Sequence, residues 1–256
     1  MLYNSFSFLL FFPIVATFFF LLPHKIRQGY LLVVSYFFYM NWSPTYSLFL
    51  VFVTMVSYVG AQILQKFCES ENDKLRRVVL ASTLLLCFSG LFIFKYLNFL
   101  NDSLWGLFSL MGIRMEVPHL ELLLPVGISF YTFQACGYMI DVYRRQIMVE
   151  RNFCTYALFI SFFPQIAAGP IGRGKELLPQ FKVKHYLNRE DITTGLRWML
   201  WGYFMKVVVA DRLALYTDAV FGNIAHHTGG SILVSAVLFT FQIYCDFAGY
   251  SFIALG

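Results

Sequence analysis

Charged residues are scarce in this chain of 256 residues: they make up 13% of it, against about 25% in an ordinary soluble domain. Apolar residues make up 59% and aromatic residues 20%, including 30 phenylalanines. This composition excludes a disordered chain, a secreted disulfide scaffold and an ordinary cytosolic enzyme. It indicates an all-α polytopic membrane protein, with residues 1–256 forming a single membrane domain.

Motifs of common catalytic and metal sites are also absent. The sequence has no GxSxG, Walker, GxGxxG, HExxH or HxxxH pattern, and its five cysteines show no CxxC spacing. We therefore expect no metal site and no bound cofactor. The net charge of +5 comes from short basic groups between apolar runs, which is typical of membrane-protein loops and not of a nucleic-acid-binding surface.

The apolar runs predict about six or seven transmembrane helices, since roughly 20 residues cross a bilayer. One long run is split at Asn41–Pro44, because the residue before a proline resists the helical conformation. The first run has no preceding basic residue and no cleavage site after it, so we interpret it as a retained helix. The predicted segments are Phe6–Leu22, Tyr30–Met40, Thr45–Leu64, Val78–Leu100, Leu120–Ile140, Cys154–Ile171, Thr193–Ala210 and Ser231 to the last residue.

The distribution of basic residues predicts the orientation. Most of them fall in four groups, at residues 25–27, 66–77, 144–151 and 173–189, which the positive-inside rule places in the cytoplasm. Three connecting regions hold at most one basic residue each, and we expect them on the external side of the membrane. They are the Asn41–Pro44 break and the loops Asn101–His119 and Asp211–Gly230. The N-terminus is then also predicted to be outside.

The segment Cys154–Ile171 does not fit this alternation, because basic groups lie on both sides of it. It also contains Pro164, Gly169 and Pro170, which break helices. Irregular backbone at membrane depth is tolerated where it lines a cavity enclosed by protein. We interpret the segment as a re-entrant element beside a polar chamber; the alternative is an interfacial helix lying flat on the membrane.

Four ionisable residues fall inside predicted spans, and such residues are functional candidates by default. Lys95, Arg197 and Lys206 lie near span ends, where a long side chain can reach the membrane surface. Asp246 has a short side chain that cannot reach far and lies in an unusually polar stretch. It belongs either to a buried polar network or to a substrate passage.

Three stretches carry a family resemblance: LPVGISFYTFQ at 124–134 with IDVYR at 140–144, SFFPQIAAGPIGR at 161–173 with LPQ at 178–180, and QIYCDFAGYS at 242–251 with ALG at 254–256. Together they resemble the bacterial membrane-bound O-acyltransferases of the alginate O-acetylase and teichoic-acid D-alanyl transfer branch. The chain departs from this family in two ways. Phe252 stands where members usually carry an aspartate, and the chain resembles only the N-terminal half of a member. The catalytic histidine of the family, in an Arg-Trp-His-type segment, would lie beyond Gly256.

The resemblance implies a partial O-acyltransferase fold in the inner membrane of a bacterium. The intact enzyme would transfer an acyl group, with acetyl expected, from a thioester on an acyl carrier protein or coenzyme A. The acceptor would be a hydroxyl of an exported polysaccharide or cell-wall polymer. Expected partners are membrane lipid, the carrier of the acyl donor and a periplasmic or extracellular acyltransferase, with no nucleic acid. No catalytic residue is assigned in this chain, which is predicted to be inactive by itself.

The resemblance also implies residues that line or shape the reaction chamber: Gln165, Gly169, Pro170, Arg173, Asp246, Tyr250 and Ser251. Gly169 and Pro170 have the alternative role of a plain helix break, and Arg173 that of an anchor beside lipid phosphates. The alternative function is a transporter or polymer-export subunit without acyl-transfer chemistry, although the chain has no internal repeat. A non-catalytic membrane scaffold is the third interpretation.

Overall fold

The computed structural model describes residues 3–42, 44–69, 73–110, 125–166, 169 and 172–256. All regular structure in these residues is helical, which confirms the all-α class. A π-helical segment at Phe204–Ala210 and a 3₁₀ turn at Ile224–His226 supplement the α-helices. The α-helices are α1 (Phe6–Leu21), α2 (His24–Met40), α3 (Pro44–Glu69), α4 (Asp73–Leu110), α5 (Ile128–Tyr143), α6 (Phe153–Ser161), α7 (Phe163–Ile166), α8 (Gly174–Lys182), α9 (Arg189–Tyr203), α10 (Asp211–Phe221) and α11 (Gly229–Leu255).

Among the described residues, three helices are long and apolar enough to cross a membrane: Pro44–Phe67, Asp73–Ser103 and Gly229–Leu255. Phe6–Leu21 and Phe153–Ile166 are apolar but shorter. These helices fit the membrane character predicted from composition. The total of six or seven spans stays a prediction.

The predicted break between the second and third apolar runs is confirmed. The α2 helix ends at Met40 and α3 begins at Pro44, where a proline in the first turn loses no helical hydrogen bond. The prediction of a loop over Asp211–Gly230 is wrong in its first half, because the chain continues from the π-helical segment directly into α10. The prediction of a loop over Asn101–His119 is also wrong in its first ten residues, because α4 continues to Leu110. The rest of that loop and the start of the predicted Leu120–Ile140 span lie outside the described residues.

The described chain forms two compact units: one comprises residues 1–27, 168–170 and 184–256, and the other residues 28–167 and 171–183. We call them the terminal unit and the central unit. In the central unit, α3, α4 and α5 pack against one another, and α6 packs on α3, α5 and α8. The assignment of residues 1–256 to a single membrane domain stays a prediction.

The helix α6 is enclosed within the central unit. All of its residues from Thr155 to Ser161 are buried, and the Tyr156 hydroxyl donates a 2.8 Å hydrogen bond to Ser57 Oγ on α3. A helix lying flat on a membrane would leave one side exposed, so this burial favours an element surrounded by protein. The helix stops at Phe162, and Pro164 stands in the first turn of the short α7, which confirms a break in the Cys154–Ile171 segment.

Gly127 allows the first and second motifs to meet. It precedes α5 with a φ of 73°, in the left-handed region that favours glycine. A Cβ at this position would lie closer than any real contact to the carbonyl oxygen of Ile166, at the end of α7. Only glycine therefore permits this approach of the two backbones.

In the terminal unit, α11 packs along α9, the π-helical segment and α10. Two pairs of glycines bring α9 and α11 together: Gly202 faces Gly249, and Gly195 faces Gly256. A Cβ on Gly202 would lie 2.6 Å from the Gly249 carbonyl oxygen, so the backbones touch directly, as small residues permit between membrane helices.

Arg27 closes the end of α1 within the same unit. Its guanidinium donates hydrogen bonds to the carbonyl oxygens of Leu22, Phe20 and His185, at 3.0, 3.2 and 2.8 Å. The side chain also stacks over the Phe19 ring. Arg27 is therefore a buried helix cap, although the sequence places it in a basic loop.

Candidate functional site

The first and second motifs form the wall of one cavity in the central unit. The cavity has a volume of about 570 Å³. Residues 133–141 of α5 and the turn after this helix form one side, and residues 172–174, which lead into α8, form the other. The lining residues are Phe133, Gln134, Gly137, Tyr138, Asp141, Arg144, Gln146, Gly172, Arg173 and Gly174. Two stretches that are far apart in the sequence therefore meet at one polar site.

Hydrogen bonds to neighbouring backbone hold two of the wall residues in place. Gln134 Nε2 donates a 2.7 Å bond to the carbonyl oxygen of Phe159 on α6. The Tyr138 hydroxyl accepts a 2.8 Å bond from the backbone N–H of Glu150. Both side chains are buried, so the α5 wall is fixed in shape.

Gln165, one of the predicted chamber residues, lies immediately behind this wall. A side chain at Gly172 would have its Cβ 2.5 Å from Gln165 Oε1 and 3.4 Å from Gln134 Nε2. Gln165 Oε1 is buried and accepts no hydrogen bond from the described residues. A side chain at position 172 would therefore displace the amide of Gln165, whose Oε1 is an unused acceptor, and would meet Gln134 at an ordinary contact distance.

The charges at the cavity are mainly positive. Arg144 and Arg173 supply two guanidinium groups and Asp141 one carboxylate. Arg173 is exposed and precedes α8 as its N-cap. Such a site can bind an anionic group such as a phosphate, which guanidinium groups hold by paired hydrogen bonds. Among the described residues that line the cavity there is no histidine, and Asp141 is its one carboxylate.

The third motif contributes to a different site, in the terminal unit. Lys206 Nζ lies 2.5 Å from Asp246 Oδ1 on α11 and 2.8 Å from Asp211 Oδ1 at the start of α10. The Tyr250 ring lies beside the ammonium, with its centroid 5.3 Å away. The lysine side chain is 13% exposed and the two carboxylates are roughly half-exposed. One buried ammonium therefore joins two acidic groups and an aromatic ring.

This arrangement corrects the interpretation of Lys206 as a side chain that reaches the membrane surface. It also favours the polar-network alternative for Asp246. Lys206 and Asp211 are partners of the third motif that its residue pattern does not predict. The relevant signal in the sequence is their spacing of five residues. Residues five apart lie next to each other where the backbone is π-helical, and the Asp211 N–H donates a hydrogen bond to the Lys206 carbonyl oxygen across this segment.

The other predicted chamber residues have separate outcomes. Ser251 donates a hydrogen bond to the Phe247 carbonyl within its own helix. Gly169 is buried, and Pro170 lies outside the described residues. Within the central unit, Arg173 lines the cavity and Gln165 lies behind its wall. Within the terminal unit, Asp246 and Tyr250 belong to the Lys206 cluster. His, Cys, Asp and Glu of the described chain form no group of three that would suit a metal ion.

Comparison with known proteins identifies the class. No family model matches the chain. It is 34% identical over its full length to the probable alginate O-acetylase AlgI of Pseudomonas aeruginosa, and 35% to that of Azotobacter vinelandii. These alignments cover 48% and 50% of the two relatives. The peptidoglycan O-acetyltransferase of Helicobacter pylori is 33% identical over 89% of this chain and 46% of its own length.

The family resemblance of the three motifs is therefore confirmed. The chain is similar over its full length to probable alginate O-acetylases and over most of its length to a peptidoglycan O-acetyltransferase. It spans about half the length of the curated relatives that it matches.

Proposed function

We propose that the chain is part of a membrane O-acetyltransferase that modifies an exported polysaccharide or a cell-wall polymer. The named relatives are an alginate O-acetylase and a peptidoglycan O-acetyltransferase, which supports acetyl as the transferred group and a sugar hydroxyl as the acceptor. The observation that carries the proposal is structural: two motifs of the family line the same polar cavity of about 570 Å³. We place the protein in the bacterial inner membrane with its N-terminus outside.

The cavity is proposed to receive the acetyl thioester donor from the cytoplasm. Arg144 and Arg173 belong to the basic groups that the positive-inside rule places on that side. Both acyl-carrier-protein and coenzyme A donors carry their thioester on a phosphate-bearing arm, and two guanidinium groups suit such a phosphate. Gln134, Tyr138 and Gly172 would shape the path beyond it.

The proton-transfer step requires a general base on the acceptor hydroxyl, and the described cavity wall carries no histidine for this role. We propose that the base lies on polypeptide following this chain, in the remaining half of the enzyme. A carrier of the donor and a periplasmic or extracellular acyltransferase are the proposed protein partners. The chain by itself is then expected to transfer no acetyl groups.

The test compares two membrane preparations from a bacterium without polysaccharide O-acetylation of its own. One contains this chain alone and the other the whole reading frame to which it belongs. Both receive acetyl-CoA or acetyl-acyl-carrier protein with a labelled acetyl group. We expect alkali-labile label in the polymer only with the whole frame. Polymer movement into vesicles without any labelled ester would contradict the proposal and support the transporter alternative.

Variants of the cavity arginines test the role of the site in the same assay. Arg144→Gln and Arg173→Gln are each expected to raise the apparent KM for the donor about tenfold, the cost of one hydrogen bond to a charged group. The matched control is Lys175→Gln, which removes an exposed charge on α8 that does not line the cavity. If all three variants behave alike, the cavity does not bind the donor.

A further inference from the structure

A groove with one basic and three aromatic side chains runs between α9 and α11 in the terminal unit. Its volume is about 270 Å³, and it is lined by Arg197, Trp198, Trp201 and Phe252. The rings of Trp198 and Phe252 are in contact, with centroids 5.1 Å apart. The two indoles remain 43% and 54% exposed. The groove shares no lining residue with the cavity beside Arg173, and none of the residues of the Lys206 cluster lines it.

Arg197 has an unneutralised charge in this groove. Its helical neighbours three and four residues away are Thr193, Thr194, Leu200 and Trp201, so α9 offers no carboxylate within reach. Within the described chain, none of the ion pairs involves Arg197. Across the groove, α11 presents the apolar ring of Phe252. The exposed guanidinium is therefore available to an anion from outside the chain.

The position of the groove along α9 indicates the depth of that anion in the membrane. The helix begins with the water-seeking residues Arg189–Asp191 and is capped by Asn188. Arg197 follows eight residues later, about 12 Å along the axis. On its other side the groove is formed by α11, a helix long and apolar enough to span the bilayer. Tryptophan is enriched at this level of membrane proteins, beside the lipid headgroups.

We propose that this groove is a binding site for the headgroup of an anionic phospholipid. The Arg197 guanidinium would hold the phosphate diester, while Trp198, Trp201 and Phe252 would pack against the glycerol and the first carbons of an acyl chain. An anionic lipid neutralises the single guanidinium, whereas the positive headgroup of a zwitterionic lipid leaves the net charge in place. The proposal does not depend on the proposed enzymatic function.

The two indoles can report directly on the bound lipid. The 256-residue chain, with Trp42→Phe and Trp105→Phe so that only Trp198 and Trp201 emit, is reconstituted in phosphatidylcholine vesicles. Brominated acyl chains quench tryptophan on contact, and they are placed either on phosphatidylglycerol or on an equal amount of phosphatidylcholine. We expect phosphatidylglycerol to occupy the site with about fivefold preference, the effect of one arginine near an anionic surface.

Two variants test whether the unpaired charge of Arg197 causes the preference for the anionic lipid. Arg197→Gln removes the guanidinium, and Phe252→Asp gives it a carboxylate within the chain; each is expected to abolish the preference. Arg212→Gln, an exposed arginine on α10, is the matched control and should retain it. Circular dichroism checks that all variants keep their helices.

Equal quenching by both lipids, or a preference that survives Arg197→Gln, would overturn the proposal. The absence of quenching by either lipid would also overturn it, since the groove would then be covered by protein.

Discussion

Lys206 and Asp246 form an ion pair between the π-helical segment and α11, with 2.5 Å between Nζ and Oδ1. The same ammonium donates a hydrogen bond to Asp211 at 2.8 Å. Because the lysine is nearly buried and its partners are half-exposed, the cluster resembles an ionic link between helices more than an open path for ions. Asp246 on α11 and Asp211 on α10 are therefore joined through one lysine.

Replacing Lys206 with methionine is expected to destabilise the protein, because two carboxylates then lose their counter-ion. We expect a loss of about 1–3 kcal/mol in the free energy of unfolding. This is less than for a fully buried pair, since solvent screens the half-exposed carboxylates. Denaturant titration in detergent micelles measures the change, with the exposed Lys25→Met as the matched control.

The double variant Lys206→Met/Asp246→Asn separates a lost ion pair from lost packing. It is expected to be more stable than Lys206→Met alone, because one uncompensated charge has been removed. Equal stability of the single and double variants would show that Asp246 and Lys206 do not interact energetically.

The features predicted correctly from the sequence are those with local causes. Long apolar runs predict α3, α4 and α11. Pro44 and Pro164 lie in the first turns of α3 and α7, so each proline indicates the start of a new helix. The features that were missed depend on helix rotation. The π-helical segment turns Lys206 towards Asp246. Such a change in helix pitch cannot be predicted from the hydropathy of the sequence.

The candidate site was predicted in part, for a related reason. The second motif points to Arg173, which lines the described cavity, because its residue pattern is unusual in itself. The first motif contains Gln134 and Arg144 of the opposite wall, but its residue pattern does not predict that they line a chamber. Its role emerges from the packing of α5 against α8, a contact between segments that are distant in the sequence.

Gly202→Ala is expected to separate α9 from α11. The new Cβ would lie 2.6 Å from the Gly249 carbonyl oxygen and 2.8 Å from the Ile253 backbone nitrogen, and neither backbone atom can rotate away. We expect a loss of about 1–3 kcal/mol, as for other overpacked contacts, measured by thermal unfolding in detergent. Gly230→Ala is the control, since a Cβ there meets no atom within 4 Å. A loss as large at Gly230 would contradict this explanation.

Lys182→Met is expected to lower the free energy of unfolding, because Lys182 pairs with Glu150 in the central unit. Lys182 Nζ lies 2.5 Å from Glu150 Oε2; the glutamate side chain is 7% exposed and the lysine 55%. Removing the lysine leaves a buried carboxylate unpaired, although water near the lysine position reduces the cost to about 1–2 kcal/mol.

The companion variant Glu150→Gln/Lys182→Met should recover part of this loss, because the neutral amide can still accept the Asn152 N–H bond. Urea titration of the purified chain compares the two variants. A double variant less stable than Lys182→Met would mean that the carboxylate is stabilised by groups other than the lysine.

Cys154 provides a test of the proposed orientation. It is exposed at the start of α6, whereas Cys87 and Cys136 are buried. The preceding basic group at 144–151 is predicted to lie in the cytoplasm. A variant that keeps only Cys154, with the other four cysteines changed to alanine, should react with a membrane-impermeant maleimide in inside-out vesicles and not in intact spheroplasts. Labelling in spheroplasts would reverse the orientation and place the Arg144 and Arg173 cavity on the side opposite to the thioester donor.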